Sequence, residues 1–281
     1  MRGKVRIWVI FSTILFVLAL ACSQCLTDSS KPDVRGVAYA NQQTCVRCLE
    51  KLQDGLYQSA YFQNKKILTQ RLDVAFGSGE KAQTYAYWQG NKLFELPLSY
   101  FRLIQNWANS PGFPVNRVNY NRAIISRCFE CHASYLEKSF VQNGSISVAQ
   151  EYNKASIIYG IDCQRCHGPA AEHVEYHLNN PEDKKAKFMV SYQALNREQK
   201  VNMCAVCHSG NDAELQKSTF GYKPGEKLSD YYYPSFDMSN HSPDVHGSQI
   251  QLLEMSKCYQ GSVVMTCTTC HDSHKNLLKL R

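Results

Sequence analysis

The chain of 281 residues lacks the marks of several common classes of protein. Residues 50–125 contain no histidine and no cysteine, so we expect this part to be built from protein side chains alone. The N-terminal apolar run, residues 7–21, is shorter than the roughly 20 residues that a membrane-spanning helix needs. The formal charge of +7 falls to about +4 without the first six residues, and no basic stripe is interleaved with aromatic side chains. We therefore predict no nucleic-acid partner.

The N-terminus is typical of a secretory signal, with three basic residues before the apolar run. The run ends in Ala21-Cys22, and a small residue directly before cysteine is what lipoprotein signal peptidase recognises. We expect residues 1–21 to be removed and Cys22 to carry lipid, with ordinary cleavage nearby as the alternative. In both cases the protein is exported, to the periplasmic face, the outer membrane or the cell surface, and Ser23 favours the outer membrane. Residues 22–40 contain few apolar anchors and are predicted to be a tether.

Thirteen cysteines in an exported chain normally indicate a disulfide framework, but here their spacing indicates another role. The pattern Cys-x-x-Cys-His occurs four times. Its two thiols are spaced to bond the two vinyl groups of a haem, and the following histidine then ligates the iron. We predict four covalently attached haems c. The predicted attachment cysteines are Cys128, Cys131, Cys163, Cys166, Cys204, Cys207, Cys267 and Cys270, and the predicted proximal ligands are His132, His167, His208 and His271.

Two other uses of Cys-x-x-Cys fit this sequence less well. Structural zinc sites normally combine two cysteine pairs spaced for one tetrahedron, whereas here each pair brings its own histidine and the gaps between pairs are long and unequal. Redox-active disulfides of the same spacing require no following histidine. Four matches in one exported chain therefore favour haem.

Five further histidines, all in the part of the chain that carries the motifs, are available for the distal faces of four irons. His173 and His177 are four residues apart and would share one face of a helix. His274 follows His271 too closely to ligate the same iron from the opposite side, so we expect it to ligate a neighbouring haem. His241 lies among loop-forming residues and is the predicted spare. The predicted distal ligands are His173, His177, His246 and His274.

Imidazole on both faces of a haem leaves the iron no open coordination site. Such a haem exchanges electrons instead of binding a substrate, and low potentials are expected because the axial methionine that raises the potential is missing. The sequence therefore predicts an electron carrier, with no catalytic residue.

Between and around these motifs the sequence resembles the exported multihaem c-type cytochromes related to cytochrome c-554 and c-552. The resemblance runs from about Thr44 to the C-terminus. It rests on "GIDCQRCHGPAAEHVEYH", "CAVCHSG", "KPGEKLSDYYY", "DVHGSQIQLLEMSKC" and "MTCTTCHDSH", and on "LPLSYFRLIQNWANSPGFP" before the first complete motif. It implies that distal histidines pair with irons bound by other segments of the chain.

Members of that family commonly begin with a further complete motif, followed about a dozen residues later by another histidine. Leu49 and Tyr61 occupy those two positions here. The resemblance therefore implies a former haem site, in which Cys45 and Cys48 form a disulfide. Two alternatives stay open: a haem retained with Tyr61 or a nearby lysine as an unusual ligand, and a zinc site at the cysteine pair.

We expect a mainly α fold with extensive loops, in which short helices carry the haem motifs, plus a small N-terminal α+β lobe with a β-hairpin. Gly90-Asn91 lies between two β-prone runs, residues 83–88 and 92–96, and predicts that hairpin. Residues 99–109 are predicted to form a short amphipathic helix. The predicted domains are the signal at 1–21, the tether at 22–40, the N-terminal lobe at 41–125 and the tetrahaem domain at 126–281.

The predicted function is electron transfer between respiratory or periplasmic redox proteins, by a carrier held at the membrane through its N-terminal lipid. One alternative is a reductase or oxidase of a small nitrogen or sulfur compound, which requires one haem with a vacant face. Another is an accessory subunit whose N-terminal lobe has become a docking surface for a partner.

Overall fold

A computed structural model of the chain describes residues 49–52, 54–114, 117–144, 147–210, 214–233 and 247–275. These residues divide into two compact units, residues 49–87 with 95–121, and residues 88–94 with 122–275. Several sequence predictions lie outside the described residues: the signal, the tether, Cys22, Cys45, Cys48, His241 and His246.

Three antiparallel strands form the first sheet, in the order β1 (Leu49–Leu52), β2 (Gly55–Phe62) and β3 (Lys65–Arg71). The β2–β3 hairpin turns through Gln63 and Asn64, with φ of 47° and 62°. Positive φ at both central residues is the pattern of a type I′ turn, whose twist matches that of the flanking strands.

The second sheet contains β4 (Val74–Phe76), β5 (Ala82–Gln89), β6 (Lys92–Phe101) and β7 (Asn106–Asn109) in that spatial order, and β8 (Arg122–Ala123) also pairs with β6. The hairpin predicted at Gly90-Asn91 is confirmed as the β5–β6 connection, with Gly90 at φ 59°. Its second strand extends beyond the predicted end, through Pro97 to Phe101.

The helix predicted at residues 99–109 is wrong, because this segment contains the end of β6, a turn and β7. Tyr100 lies opposite Trp107 in the strand register, with ring centroids 5.6 Å apart. The ring of Tyr85 also lies near Trp107, with centroids 5.2 Å apart. Cross-strand aromatic pairs of this kind stabilise a sheet. Their packing outweighs the weak helical period of the segment.

In the described residues of the second unit, four short strands follow the first of six short α-helices. Its strands after β8 are β9 (Ala133–Tyr135), β10 (Lys138–Asn143), β11 (Ser147–Tyr152) and β12 (Ile158–Tyr159), paired as β10–β11 and β9–β12. Its helices are α1 (Ser126–His132), α2 (Cys163–His167), α3 (Ala171–Asn179), α4 (Arg197–His208), α5 (Gln249–Met255) and α6 (Lys257–Gln260). Within the part of the chain that the structure describes, no helix is both long and apolar enough to cross a bilayer.

A cluster of buried side chains around α4 forms the core of the second unit. Val201, Ala205 and Val206 of α4 are each at most 4% exposed. They pack in one cluster with Tyr222, Leu228, Tyr231 and Ile250. Two of these three α4 residues lie inside the third Cys-x-x-Cys-His motif, so the motif is anchored by the core itself.

The prediction of a mainly α fold is wrong. Twelve strands and six α-helices occur in the described residues, and the longest of these helices has 12 residues. Strands dominate residues 49–109, where β-prone side chains alternate between tight turns. They also occupy much of residues 133–159, which the sequence suggested were connecting loops.

Candidate haem-binding sites

Three of the four complete motifs lie on α-helices. The first ends α1, the second makes up the whole of α2, and the third ends α4. The fourth begins with a single 3-10 turn, Cys267–Thr269, and the backbone N–H of His271 donates to the carbonyl of Cys267 at 3.0 Å. The prediction of a short helix for each motif is thus confirmed for three. One helical turn brings the two thiols of a motif to the same side, as double attachment requires.

Capping side chains fix where the motif turns begin. Asp162 is the residue directly before the second motif. Its side chain accepts a hydrogen bond from the backbone N–H of Arg165 at 2.9 Å. Thr266 and Thr269 form a reciprocal capping box at the fourth motif. Such caps satisfy N–H groups that a helix start leaves without partners. At the second and fourth motifs, the local sequence therefore sets the turn that presents the thiol pair.

Thiols of different motifs lie in contact. Cys131 of the first motif and Cys207 of the third share a hydrogen bond, which lowers the pKa of Cys131 to about 6 against the opposing effect of burial. Cys204 of the third and Cys267 of the fourth share another, which lowers the pKa of Cys267 to about 7. The third motif therefore lies between the first and the fourth.

The imidazoles of His167 and His274 lie near each other and nearly parallel, although they come from different segments. Their ring centroids are 6.1 Å apart and their planes are within 5° of parallel, as in a stacked pair. A metal–imidazole bond is about 2 Å long and the ring centre lies roughly 1 Å behind the nitrogen, so two rings on opposite sides of one metal have centroids about 6 Å apart. The observed separation is close to this value; ligation of one metal by both rings would in addition turn their Nε2 atoms towards each other. The second motif is thus brought together with the segment that follows the fourth.

His173 and His177 lie one turn apart on α3, with ring centroids 4.6 Å apart. His173 Nδ1 is 2.8 Å from the carbonyl oxygen of Lys187, and because a carbonyl only accepts, Nδ1 carries the proton and Nε2 is left with its lone pair. His177 Nε2 is buried without a hydrogen-bond partner. Each ring therefore has an Nε2 atom that is not engaged by a protein hydrogen bond in the geometry above and is available to a metal.

Two proximal-ligand candidates, His132 and His208, lie in surroundings that suit binding of a metal by imidazole. Burial lowers the pKa of His132, and the nearby charge of His208 lowers it further. His208 Nδ1 lies 3.2 Å from the amide oxygen Oε1 of Gln249 at the start of α5. That oxygen only accepts, so it fixes the proton on Nδ1 and leaves Nε2 for a metal.

Glu130 and Arg165 are buried inside the motifs, although no sequence pattern marked them as functional residues. Glu130 is the third residue of the first motif and is 1% exposed, and Arg165, the third residue of the second, is 6% exposed. Charged side chains are rarely buried unless they are paired. Nothing in the local sequence distinguished these two side chains from charged side chains that remain in solvent.

The segment that follows the cysteine pair of the incomplete motif has a different secondary structure from the four complete motifs. Leu49, at the position of the missing histidine, begins strand β1. The hydroxyl of Tyr61 donates to Glu50 Oε1 at 3.0 Å, and Lys66 Nζ donates to Glu50 Oε2 at 2.7 Å. Tyr61 and Lys66 thus share the carboxylate of Glu50 on the surface of the first sheet.

The side chains around the motifs include atoms of the kinds that haem binds. Buried Nε atoms of Arg127 and Arg165 have no hydrogen-bond partner, like Nε2 of His177. A haem offers a partner for each kind of atom, since its iron binds imidazole nitrogen and its propionate carboxylates accept from guanidinium N–H groups. Within the described ranges, no group of three or more His, Cys, Asp or Glu side chains is placed to hold a bare metal ion.

Among solved structures, the chain is similar to the outer cell wall cytochrome OcwA, with 22% sequence identity and a TM-score of 0.39. The similarity covers 69% of this chain and 43% of OcwA, so the chain spans less than half the length of that protein. No protein-family model and no curated protein matches the sequence.

Proposed function

We propose that this protein is an exported c-type cytochrome that binds four haems covalently and passes electrons between redox proteins. The four complete motifs carry the proposal, because each supplies two thiols and one imidazole at the spacing that covalent haem requires. The most direct structural support is the separation of 6.1 Å between the rings of His167 and His274, which suits two ligands on one iron.

In this proposal His167 and His274 ligate the iron held by the second motif. His274 belongs to the segment just after the fourth motif, so the ligand ties the second attachment site to the fourth. His173 and His177 would serve other irons, because their rings are too close together to lie on opposite sides of one metal. The fourth distal ligand is proposed to be His246.

The protein's own residues would hold, orient and insulate the cofactors. The cysteines would bond each haem and the imidazoles would ligate its iron, while Lys187 O and Gln249 Oε1 contact the rings of His173 and His208 and limit their orientation. When bound, each haem would supply one reversible one-electron step. If imidazole filled both ligand positions of every iron, no position would be left for a substrate, which is why we propose electron transfer and not catalysis.

The partners proposed are an electron-donating and an electron-accepting protein, with the membrane engaged through lipid on Cys22. Cys45 and Cys48 are proposed to form a disulfide where a fifth haem was lost. Support for that loss comes from the sheet, in which Leu49 begins a strand and the hydroxyl of Tyr61 is hydrogen-bonded to Glu50.

The intact mass of the mature protein, measured beside its pyridine haemochrome content, tests this proposal. We expect four haems per chain and a mass lower by two hydrogen atoms for the disulfide between Cys45 and Cys48. Five haems would mean that the incomplete motif is still occupied, and fewer than four would contradict the assignment of the complete motifs.

A further inference from the structure

A buried polar network joins the first complete motif to the second. Glu130 Oε2 accepts from the backbone N–H of Thr219 at 2.8 Å and from its hydroxyl at 2.6 Å, and Glu130 Oε1 accepts from the Ser218 hydroxyl at 2.8 Å. Three donors thus converge on the two oxygens of the Glu130 carboxylate, which is the arrangement that suits a charged acceptor.

Arg165 completes the network from the second motif. Its Nη2 donates to the Thr219 hydroxyl oxygen at 2.8 Å and to the backbone carbonyl of Glu130 at 2.6 Å, and its Nη1 donates to the backbone carbonyl of Thr219 at 2.6 Å. Thr219 is 0% exposed and its hydroxyl links the two charges, since it accepts from Arg165 and donates to Glu130. Water therefore has little access to screen either charge.

Because of its position, the charge of Glu130 would act on a haem bound to the first motif. It lies between Cys128 and Cys131, the two cysteines that would bond one haem. A buried negative charge favours the oxidised, more positive state of a neighbouring iron, and it does so strongly where the surroundings screen little. Arg165 offsets part of that effect, and the donors of Ser218 and Thr219 offset another part.

We infer that Glu130 is a positioning residue that holds down the reduction potential of the haem on the first motif, and that Ser218, Thr219 and Arg165 tune how strongly its charge acts. The inference rests on the proposed function, since it requires a haem on Cys128 and Cys131. The same network anchors the first and second motifs to each other through Thr219.

Spectroelectrochemical titration of Glu130→Gln tests the inference. The amide keeps the shape and removes the charge, so one of the four one-electron steps should move to a higher potential. We expect at least a tenfold change in the oxidised-to-reduced ratio, or 59 mV for a one-electron couple, with smaller changes in the other three. Glu172→Gln, an exposed carboxylate on α3 in the same unit, is the matched control and should leave all four steps in place.

The haem count separates the two possible failures. Four haems with no step moved beyond the control would overturn the inference alone, whereas loss of haem from the wild-type chain would overturn the proposed function. If Glu130→Gln does not mature, Ser218→Ala keeps the carboxylate and removes one half-buried donor. Its less compensated charge should move the same step to a lower potential, and an unchanged titration would again overturn the inference.

Discussion

His167 and His274 are far apart in the sequence, yet their imidazole planes lie within 5° of parallel with ring centroids 6.1 Å apart. The first ring follows the cysteine pair of α2, and the second follows the fourth motif by three residues. It is this closeness on which the proposed pairing of His167 and His274 at one iron depends.

Replacement of His274 by alanine should open one iron without removing its haem. The thioether bonds to Cys163 and Cys166 and the ligand His167 remain, so the haem count should stay at four while one centre becomes five-coordinate. Electron paramagnetic resonance should then detect one high-spin ferric signal, and carbon monoxide should bind one reduced haem per chain.

The matched control for that variant is His241→Ala, since His241 is the predicted spare. It should leave every haem low-spin and unreactive towards carbon monoxide. A high-spin signal in His241→Ala, or none in His274→Ala, would contradict the proposed pairing.

The cysteines of the incomplete motif should be dispensable for haem. Changing Cys45 and Cys48 together to serine removes the proposed disulfide but no complete motif, so we expect four haems and an unchanged haem spectrum. A fall in the haem count after this double change would mean that Leu49 follows a working attachment site.

Cys258 should be a reactive thiol in the mature protein. Among the cysteines that the structure describes, it is free and exposed on α6, whereas the eight cysteines of the complete motifs would be consumed in thioether bonds. Maleimide added to the folded, haem-loaded protein, followed by peptide mass mapping, should label Cys258 and none of those eight. Labelling at any of the eight would identify a site that lacks its haem.

Arg197 should contribute to the stability of the region before the fourth motif. Its Nε and Nη2 donate to the carbonyls of Met265 and Tyr259 at 3.0 and 2.7 Å, and its guanidinium lies 3.6 Å from the centre of the Tyr259 ring. Charged hydrogen bonds and a cation–π contact of this kind are together worth about 2 kcal/mol. Arg197→Ala should lower the free energy of unfolding in urea by about that amount.

Arg197→Lys serves as the matched variant for that measurement. Lysine keeps the charge but cannot reach both carbonyls with a planar fork, so it should recover only part of the loss. Full recovery by lysine would mean that charge alone, and not the fork, supplies the stability.

Candidate attachment residues can be named from sequence because the chemistry of haem dictates their spacing over five positions. The closeness of the His167 and His274 rings could not be predicted, since it depends on how distant segments fold together. The burial of Glu130 was equally hidden. Its main partner, Thr219, lies far along the chain, and nothing local distinguishes a carboxylate that will be enclosed from one that will be solvated.

The strands also divide into those that the local sequence predicts and those that depend on residues elsewhere in the chain. Gly90-Asn91 is a strong turn signal, and the hairpin it predicts is present. The hairpin through Gln63 and Asn64 contains no glycine, and its positive φ values are imposed by the pairing of the flanking strands. At residues 99–109 the sequence pattern favoured a helix. The aromatic residue that packs against this segment, Tyr85, lies on another strand and cannot be identified from the local sequence.

The spin state of all four irons tests the central claim most directly. Quantitative electron paramagnetic resonance of the oxidised mature protein, with carbon monoxide difference spectra of the reduced form, counts the haems that have an open face. We predict four low-spin, six-coordinate haems and no carbon monoxide adduct. One fully populated five-coordinate centre in the wild-type protein would contradict the electron-carrier assignment and indicate a reductase or oxidase instead.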